Sequence, residues 1–112
     1  MSFPSGNKRA KQILELVHSD VFGPMKVPSL GKSVYYVSFI DEFSRNIWIY
    51  FLKKKSKVFD RFKEFKALVE NQTEKKIKVL RTDNGGAFCS KEFEEFCKKC
   101  GIARKNTTPY TP

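Results

Sequence analysis

Ile77-Lys78-Val79-Leu80-Arg81-Thr82-Asp83-Asn84-Gly85-Gly86 is a short β-type run that ends on a carboxylate and breaks into a glycine turn. A strand holds its terminal side chain rigidly, and paired glycines let backbone or ligand approach closely. Such a place can hold an acid against a metal ion or a phosphate. The plain alternative is an Asp-Asn-Gly-Gly turn closing a hairpin. Leu14-Glu15-Leu16-Val17-His18-Ser19-Asp20-Val21-Phe22-Gly23-Pro24 has the same design. It alternates apolar and polar residues, reaches Asp20, and is expected to stop at Gly-Pro. Two strand-end aspartates so far apart in sequence meet only if their strands are neighbours in one sheet. Carboxylates paired in that way suit hard divalent cations, which demand oxygen ligands.

Composition narrows the options. The 112 residues make one domain with a modest core, well supplied by eleven Phe, four Tyr and one Trp. Twenty-two Lys and Arg against twelve Asp and Glu leave a formal charge of +10. That excess favours a polyanionic partner, nucleic acid first. No long apolar run or basic amphipathic anchor points to a membrane.

Cys89, Cys97 and Cys100 are an odd number of thiols without a signal peptide, the pattern of a reducing, intracellular compartment. Cys97-Lys98-Lys99-Cys100 invites a structural zinc, yet only His18 and Cys89 remain as soft ligands. Phe93, Phe96, Cys97 and Cys100 also share one helix face, so core packing is the better reading and no structural zinc is expected.

Residues 1–12 read as a basic linker or tail, and 13–112 as the domain. Strands are expected over about 13–20, 33–40 and 46–52, the last two rich in β-branched and aromatic residues. The five residues Asp41-Glu42-Phe43-Ser44-Arg45 suit a hairpin, making the first three strands an antiparallel meander; Asp41, Ser44 and Arg45 are read as turn residues. A helix from an N-cap at Ser56 to Asn71 follows, with Phe59, Phe62, Phe65, Leu68 and Val69 as its apolar stripe. A strand at 77–82, a helix from Ser90 to a stop at Gly101, and a strand at 102–107 complete a βββαβαβ order. Right-handed crossovers pair the fourth strand, parallel, beside the first. That α/β arrangement brings Asp20 and Asp83 together.

Four ordered motifs now carry a resemblance. His18-Ser19-Asp20-Val21-Phe22-Gly23-Pro24, Phe39-Ile40-Asp41-Glu42-Phe43-Ser44-Arg45, Arg81-Thr82-Asp83-Asn84-Gly85-Gly86-Ala87-Phe88 and Thr108-Pro109-Tyr110-Thr111-Pro112 resemble the integrase catalytic core of copia-type LTR retrotransposon polyproteins. The resemblance covers nearly the whole chain. It implies an RNase H-like fold with a mixed five-stranded sheet, and DNA integration by a Mg²⁺- or Mn²⁺-dependent polynucleotidyl transferase that trims element ends and joins them to target DNA. It makes Asp20 and Asp83 the first two catalytic, metal-holding acids. It also implies DNA as partner, a homo-oligomer in the full-length protein, and a nuclear or retroelement-particle location.

The family's third acid lies on a helix just after the Thr-Pro-Tyr-Thr-Pro segment, beyond Pro112. Glu92, Glu94 and Glu95 do not replace it, since acids in the first turn of a helix are explained by the helix dipole. The 112 residues alone are therefore expected to be inactive. Ala87 stands where the family usually has Glu, and Phe22 where Cys is frequent. His18 shares the strand face of Asp20 and could order a metal-bound water, although a plain buried or hydrogen-bonded histidine is the better reading. Asn84 is a turn residue or a DNA contact. Lys53, Lys54, Lys55 and Lys57 are either a solvated face or phosphate contacts. A nucleic-acid-binding relic and an RNase H-like nuclease are the alternative functions; the motifs resemble integrases more specifically.

Overall fold

A computed structural model describes residues 10–83 and 86–106. Its elements are β1 (Leu16–Val27), β2 (Lys32–Asp41), β3 (Ile47–Leu52), α1 (Val58–Thr73), β4 (Val79–Thr82), α2 (Lys91–Lys99) and β5 (Ala103–Asn106), with short 3₁₀ turns between them. The five strands form one sheet in the order β3-β2-β1-β4-β5. β1, β2 and β3 are the expected antiparallel meander. β4 pairs with β1 in parallel, and β5 pairs with β4 in parallel.

The period-2 pattern of the strands sorts side chains onto two unlike faces. Val17, Ser19, Val37, Phe39, Leu80 and Thr82 are buried on one of them. α1 lays Val58, Phe62, Phe65 and Val69 there, the i, i+4, i+7 spacing of an apolar helix stripe. Phe39 stacks on Phe65 with ring centroids 4.4 Å apart, and Trp48 meets Phe65 edge-on at 5.2 Å. Phe62 stacks on Phe93 of α2 at 5.1 Å, so one aromatic series joins sheet and both helices. The opposite face carries His18, Asp20, Phe22, Tyr36, Ser38, Ile49 and Phe51, as the cross-strand pairs require.

The caps of α2 are as the sequence suggests. Ser90 accepts a hydrogen bond from the Phe93 N–H at 3.1 Å. Gly101 takes φ +74, and the N–H groups of Gly101 and Ile102 donate to the carbonyls of Lys98 and Cys97, the double closure of a Schellman motif. Cys97 is fully buried in the apolar core, Cys100 is half-buried and Cys89 is exposed. Burial pushes the Cys97 thiol pKa up, opposed by the Arg104 guanidinium beside it.

Three expectations need correction. β1 does not stop at Gly23-Pro24; it begins at Leu16 and runs on to Val27. The register shifts between Phe22 and Met25, so the Gly-Pro pair sits in a bulge. Ser56 does not cap α1. A 3₁₀ turn over Lys55–Lys57 intervenes, and the helix starts at Val58 without a side-chain cap. Leu68 is exposed rather than part of the stripe, because Phe65 and Val69 already fill the sheet side of that turn.

Gly23 adopts φ +122, and a Cβ there would meet the Val34 carbonyl oxygen at 2.9 Å. Both effects oppose any other residue. Gly23→Ala is expected to cost more than about 1 kcal/mol, read as a lower denaturant midpoint at unchanged m-value.

Candidate active site

Asp20 and Asp83 are carried by the two central strands. The parallel β1–β4 register pairs Leu16 with Val79, Val17 with Leu80, His18 with Arg81 and Ser19 with Thr82. Each aspartate is the residue after the Ser19–Thr82 pair, so the two occupy adjacent places, Asp20 within β1 and Asp83 just past the end of β4. Adjacent strands lie about 4.8 Å apart. Ser19 and Thr82 are wholly buried on the helix side, and Asp20 and Asp83 are partly exposed. Alternation therefore sends the acids toward the open face.

His18 lies beside Asp20. Its Nε2 is 3.7 Å from Asp20 Oδ2, and its Nδ1 is 3.7 Å from Glu42 Oε2. Arg45 Nη1 follows at 3.5 Å from Glu42 Oε1. Asp41, one residue earlier, does a different job. Its carboxylate is fully buried and accepts hydrogen bonds from the Leu14 N–H at 2.9 Å, the Ser44 N–H at 3.0 Å and the Ser44 hydroxyl at 2.6 Å. Asp41 and Ser44 thus build the β2–β3 turn and tie it to the entry of β1. Leu14 sits at that entry with φ +65.

Lys53, Lys54, Lys55 and Lys57 are exposed on the connection from β3 to α1. Register puts Asp20 against Ser38, and Ser38 against Ile49. Lys53 is thus two strands across and four residues further along, roughly 16 Å from Asp20 by strand geometry. The lysine run is not gathered with the acids. Lys57 has a local ion pair with Asp60 at 3.8 Å. Asn84 and the Thr-Pro-Tyr-Thr-Pro segment lie outside the described residues.

Three nearby residues escaped the sequence reading. Arg81 is the register partner of His18, and Lys105 is the partner of Arg81, so both cations share the acids' face. The signal was present as a two-residue offset: Arg81 precedes Asp83 as His18 precedes Asp20. Glu42 was hidden because its closeness to His18 depends on the β1–β2 register. Among the described residues no group of three or more His, Cys, Asp or Glu is placed to hold a metal ion. The donor set is two carboxylates. That set suits Mg²⁺, which is commonly held by one or two carboxylates with waters and substrate phosphate oxygens completing its shell.

A mixed five-stranded sheet with an antiparallel meander and two helices packed on one face is an RNase H-like fold. The chain belongs to the integrase core domain family, whose model matches residues 10–112. It is 50% identical over 112 residues to the retrovirus-related Pol polyprotein from transposon TNT 1-94 of Nicotiana tabacum, and 37% identical over 110 residues to that from transposon RE2 of Arabidopsis thaliana. It spans 8% and 7% of the lengths of those polyproteins. The fold matches the catalytic core domain of HTLV-2 integrase, solved in complex with magnesium in a dimeric form. That match has a TM-score of 0.74 at 24% identity and covers 90% of this chain and 65% of that one. A simian T-cell lymphotropic virus intasome, in complex with a PP2A regulatory subunit, gives 0.75 at 20% identity over 94% of this chain and 36% of that one.

The buried Asp41 carboxylate is the test of the turn's part in this arrangement. Asp41→Ala strands the Leu14 and Ser44 donors and is expected to cost about 2–4 kcal/mol, measured by chemical denaturation. Asp20→Asn, at a partly exposed carboxylate that accepts no backbone hydrogen bond like those of Asp41 among the described residues, is expected to change stability by less than about 1 kcal/mol.

Proposed function

We propose that this chain is part of the catalytic core of a retroelement integrase, a metal-dependent polynucleotidyl transferase, with Asp20 and Asp83 as two of its metal-holding acids. The convergence of two carboxylates from distant sequence segments onto one face of neighbouring strands carries this reading. Asp20 and Asp83 would hold Mg²⁺ or Mn²⁺, which would supply neutralisation of charge on the scissile phosphate and favour ionisation of the attacking oxygen. The protein's own contribution is placement. β1 and the end of β4 present the carboxylates side by side, and the packed sheet lets neither backbone retreat. His18 stands beside Asp20, where an imidazole orders solvent or the carboxylate itself.

DNA is the substrate this reading requires, and the charge of +10 suits it. Arg81 and Lys105 would hold phosphates next to the acids. Lys53, Lys54, Lys55 and Lys57 would extend the contact along the duplex, and Asn84 would add a contact from the loop after Asp83. In the family the third acid follows the Thr-Pro-Tyr-Thr-Pro segment, so the 112 residues hold two of three. A homo-oligomer fits a reaction that handles two DNA ends together, and the HTLV-2 core was solved as a dimer. No described helix is long and apolar enough to cross a membrane; a nuclear or retroelement-particle location follows from the proposed task.

Mn²⁺ binding tests the acids directly. Asp20→Asn and Asp83→Asn should each weaken it about tenfold or more, read by electron paramagnetic resonance of free Mn²⁺, whereas unchanged binding in both variants would refute the assignment. The 112-residue polypeptide itself should show no strand transfer with Mg²⁺ or Mn²⁺. Robust joining by this polypeptide, lost in Asp83→Asn, would mean that another group completes the acid set. DNA binding should fall linearly in log K against log salt. Arg81→Gln should weaken it evenly across sequences and lower the slope by about one; a salt-independent affinity would exclude the phosphate contacts.

A further inference from the structure

We propose that Glu42 and His18 form a positioning pair that holds the Asp20 carboxylate in its metal-binding orientation, an inference that rests on the reading of Asp20 as a metal ligand. His18 and Asp20 are two residues apart on β1 and share its open face. The His18 imidazole has a carboxylate near each nitrogen, Asp20 at 3.7 Å from Nε2 and Glu42 at 3.7 Å from Nδ1. These separations exceed hydrogen-bond length, so the ring acts as a polar spacer between two carboxylates. All three side chains are largely covered, at 25% exposure for His18, 31% for Asp20 and 20% for Glu42.

The far end of this series is fixed. The Glu42 N–H donates to the Leu16 carbonyl at 3.0 Å, which ties the backbone of Glu42 to β1 two residues before His18. Asp41 clamps the turn with three hydrogen bonds. Arg45 Nη1 reaches the other oxygen of Glu42 at 3.5 Å. Glu42 is therefore anchored through its backbone and its neighbours, and His18 is confined between an anchored carboxylate and Asp20. Arg81 is the register partner of His18 on β4 and leaves the sheet on the same face. A strand fixes the backbone of Asp20 but leaves its side-chain torsions free. The ring removes part of that freedom before a metal arrives. Partners of metal-ligating residues commonly contribute ten- to a hundredfold to metal affinity.

A second account is that Glu42 merely adds negative charge near the site. The two differ in how the residues couple. Mn²⁺ affinity of the 112-residue chain is measured for wild type, His18→Ala, His18→Asn, Glu42→Gln and the double variant His18→Ala/Glu42→Gln, with Asp20→Asn as reference. Metal-free thermal midpoints are recorded beside them. Positioning predicts that His18→Ala weakens Mn²⁺ binding about tenfold, that Glu42→Gln weakens it less, and that Glu42→Gln adds nothing once His18 is absent. His18→Asn, which keeps a polar side chain, should recover part of the loss, and the midpoints should not track the affinities. An equal effect of Glu42→Gln in both backgrounds would overturn the inference in favour of simple charge. Wild-type affinity in His18→Ala, or affinities that follow the midpoints, would overturn it too. In those cases a loss in Asp20→Asn leaves the metal reading standing, whereas wild-type affinity in Asp20→Asn refutes that reading and the inference with it.

Discussion

The parallel pairing of β1 with β4 is the constraint on which this structure depends. β1 is the central strand, hydrogen-bonded to β2 on one side and β4 on the other. Both partners follow it in the sequence, and only the parallel β4 pairing needs a crossover, which α1 supplies. The crossover in turn needs a buried stripe, and Val58, Phe62, Phe65 and Val69 provide it against Val37 and Phe39. Each further element follows from that first closure. α2 returns over the same face to place β5 beside β4, with Phe93 bridging Phe62 and Phe88. Arg104 of β5 secures the return, its Nη2 donating to the Phe88 carbonyl at 2.8 Å and its guanidinium lying 5.0 Å from the Phe93 ring centre.

The same pairing leaves the molecule two-sided. The helix-covered face is a dense aromatic core, while the other face carries Phe22, Ile47, Ile49 and Phe51 at 43–66% exposure beside the candidate acids. Phe22 stacks on Tyr36 at 5.1 Å and Tyr36 meets Phe51 edge-on at 6.1 Å, so an aromatic row crosses three strands there. Asp20 sits in the next row toward His18, opposite Ser38. The polar site thus borders an apolar surface.

Much of this was legible in the sequence because the decisive signals are local. Alternation in Ser33–Ile40, the 3.6-residue spacing from Phe62 to Val69, and the Ser90 and Gly101 caps each declare an element without reference to its neighbours. Strand order then followed from connection rules, and with it the adjacency of Asp20 and Asp83. What escaped was set by pairing. Gly23-Pro24 looks like a terminator, yet β2 continues alongside and the bulge carries β1 past it to Val27. Ser56 has the right chemistry for a cap, but the tight turn at Lys55–Lys57 moves the helix start beyond it. Leu68 is apolar on a helix whose inward positions are already filled. Glu42 and Arg81 are ordinary charged residues until register sets them on either side of His18.

Register also accounts for the residues between the site's polar groups. A slip of one residue between β1 and β4 would turn Asp20 or Asp83 inward to the place now held by Ser19 or Thr82. Those places are wholly enclosed, and the two hydroxyls have no hydrogen-bond partner among the described residues. Leaving a buried hydroxyl unpaired costs about 1–3 kcal/mol. A buried unpaired carboxylate costs far more, or must take up a proton. The sequence His18-Ser19-Asp20 beside Arg81-Thr82-Asp83 therefore resists misalignment through its polar residues as well as its apolar ones. Small hydroxyls tolerate the inside of the sheet at modest cost, and the carboxylates do not. The difference between those two costs keeps both acids outward and side by side, and a two-acid site on neighbouring strands needs that alignment first.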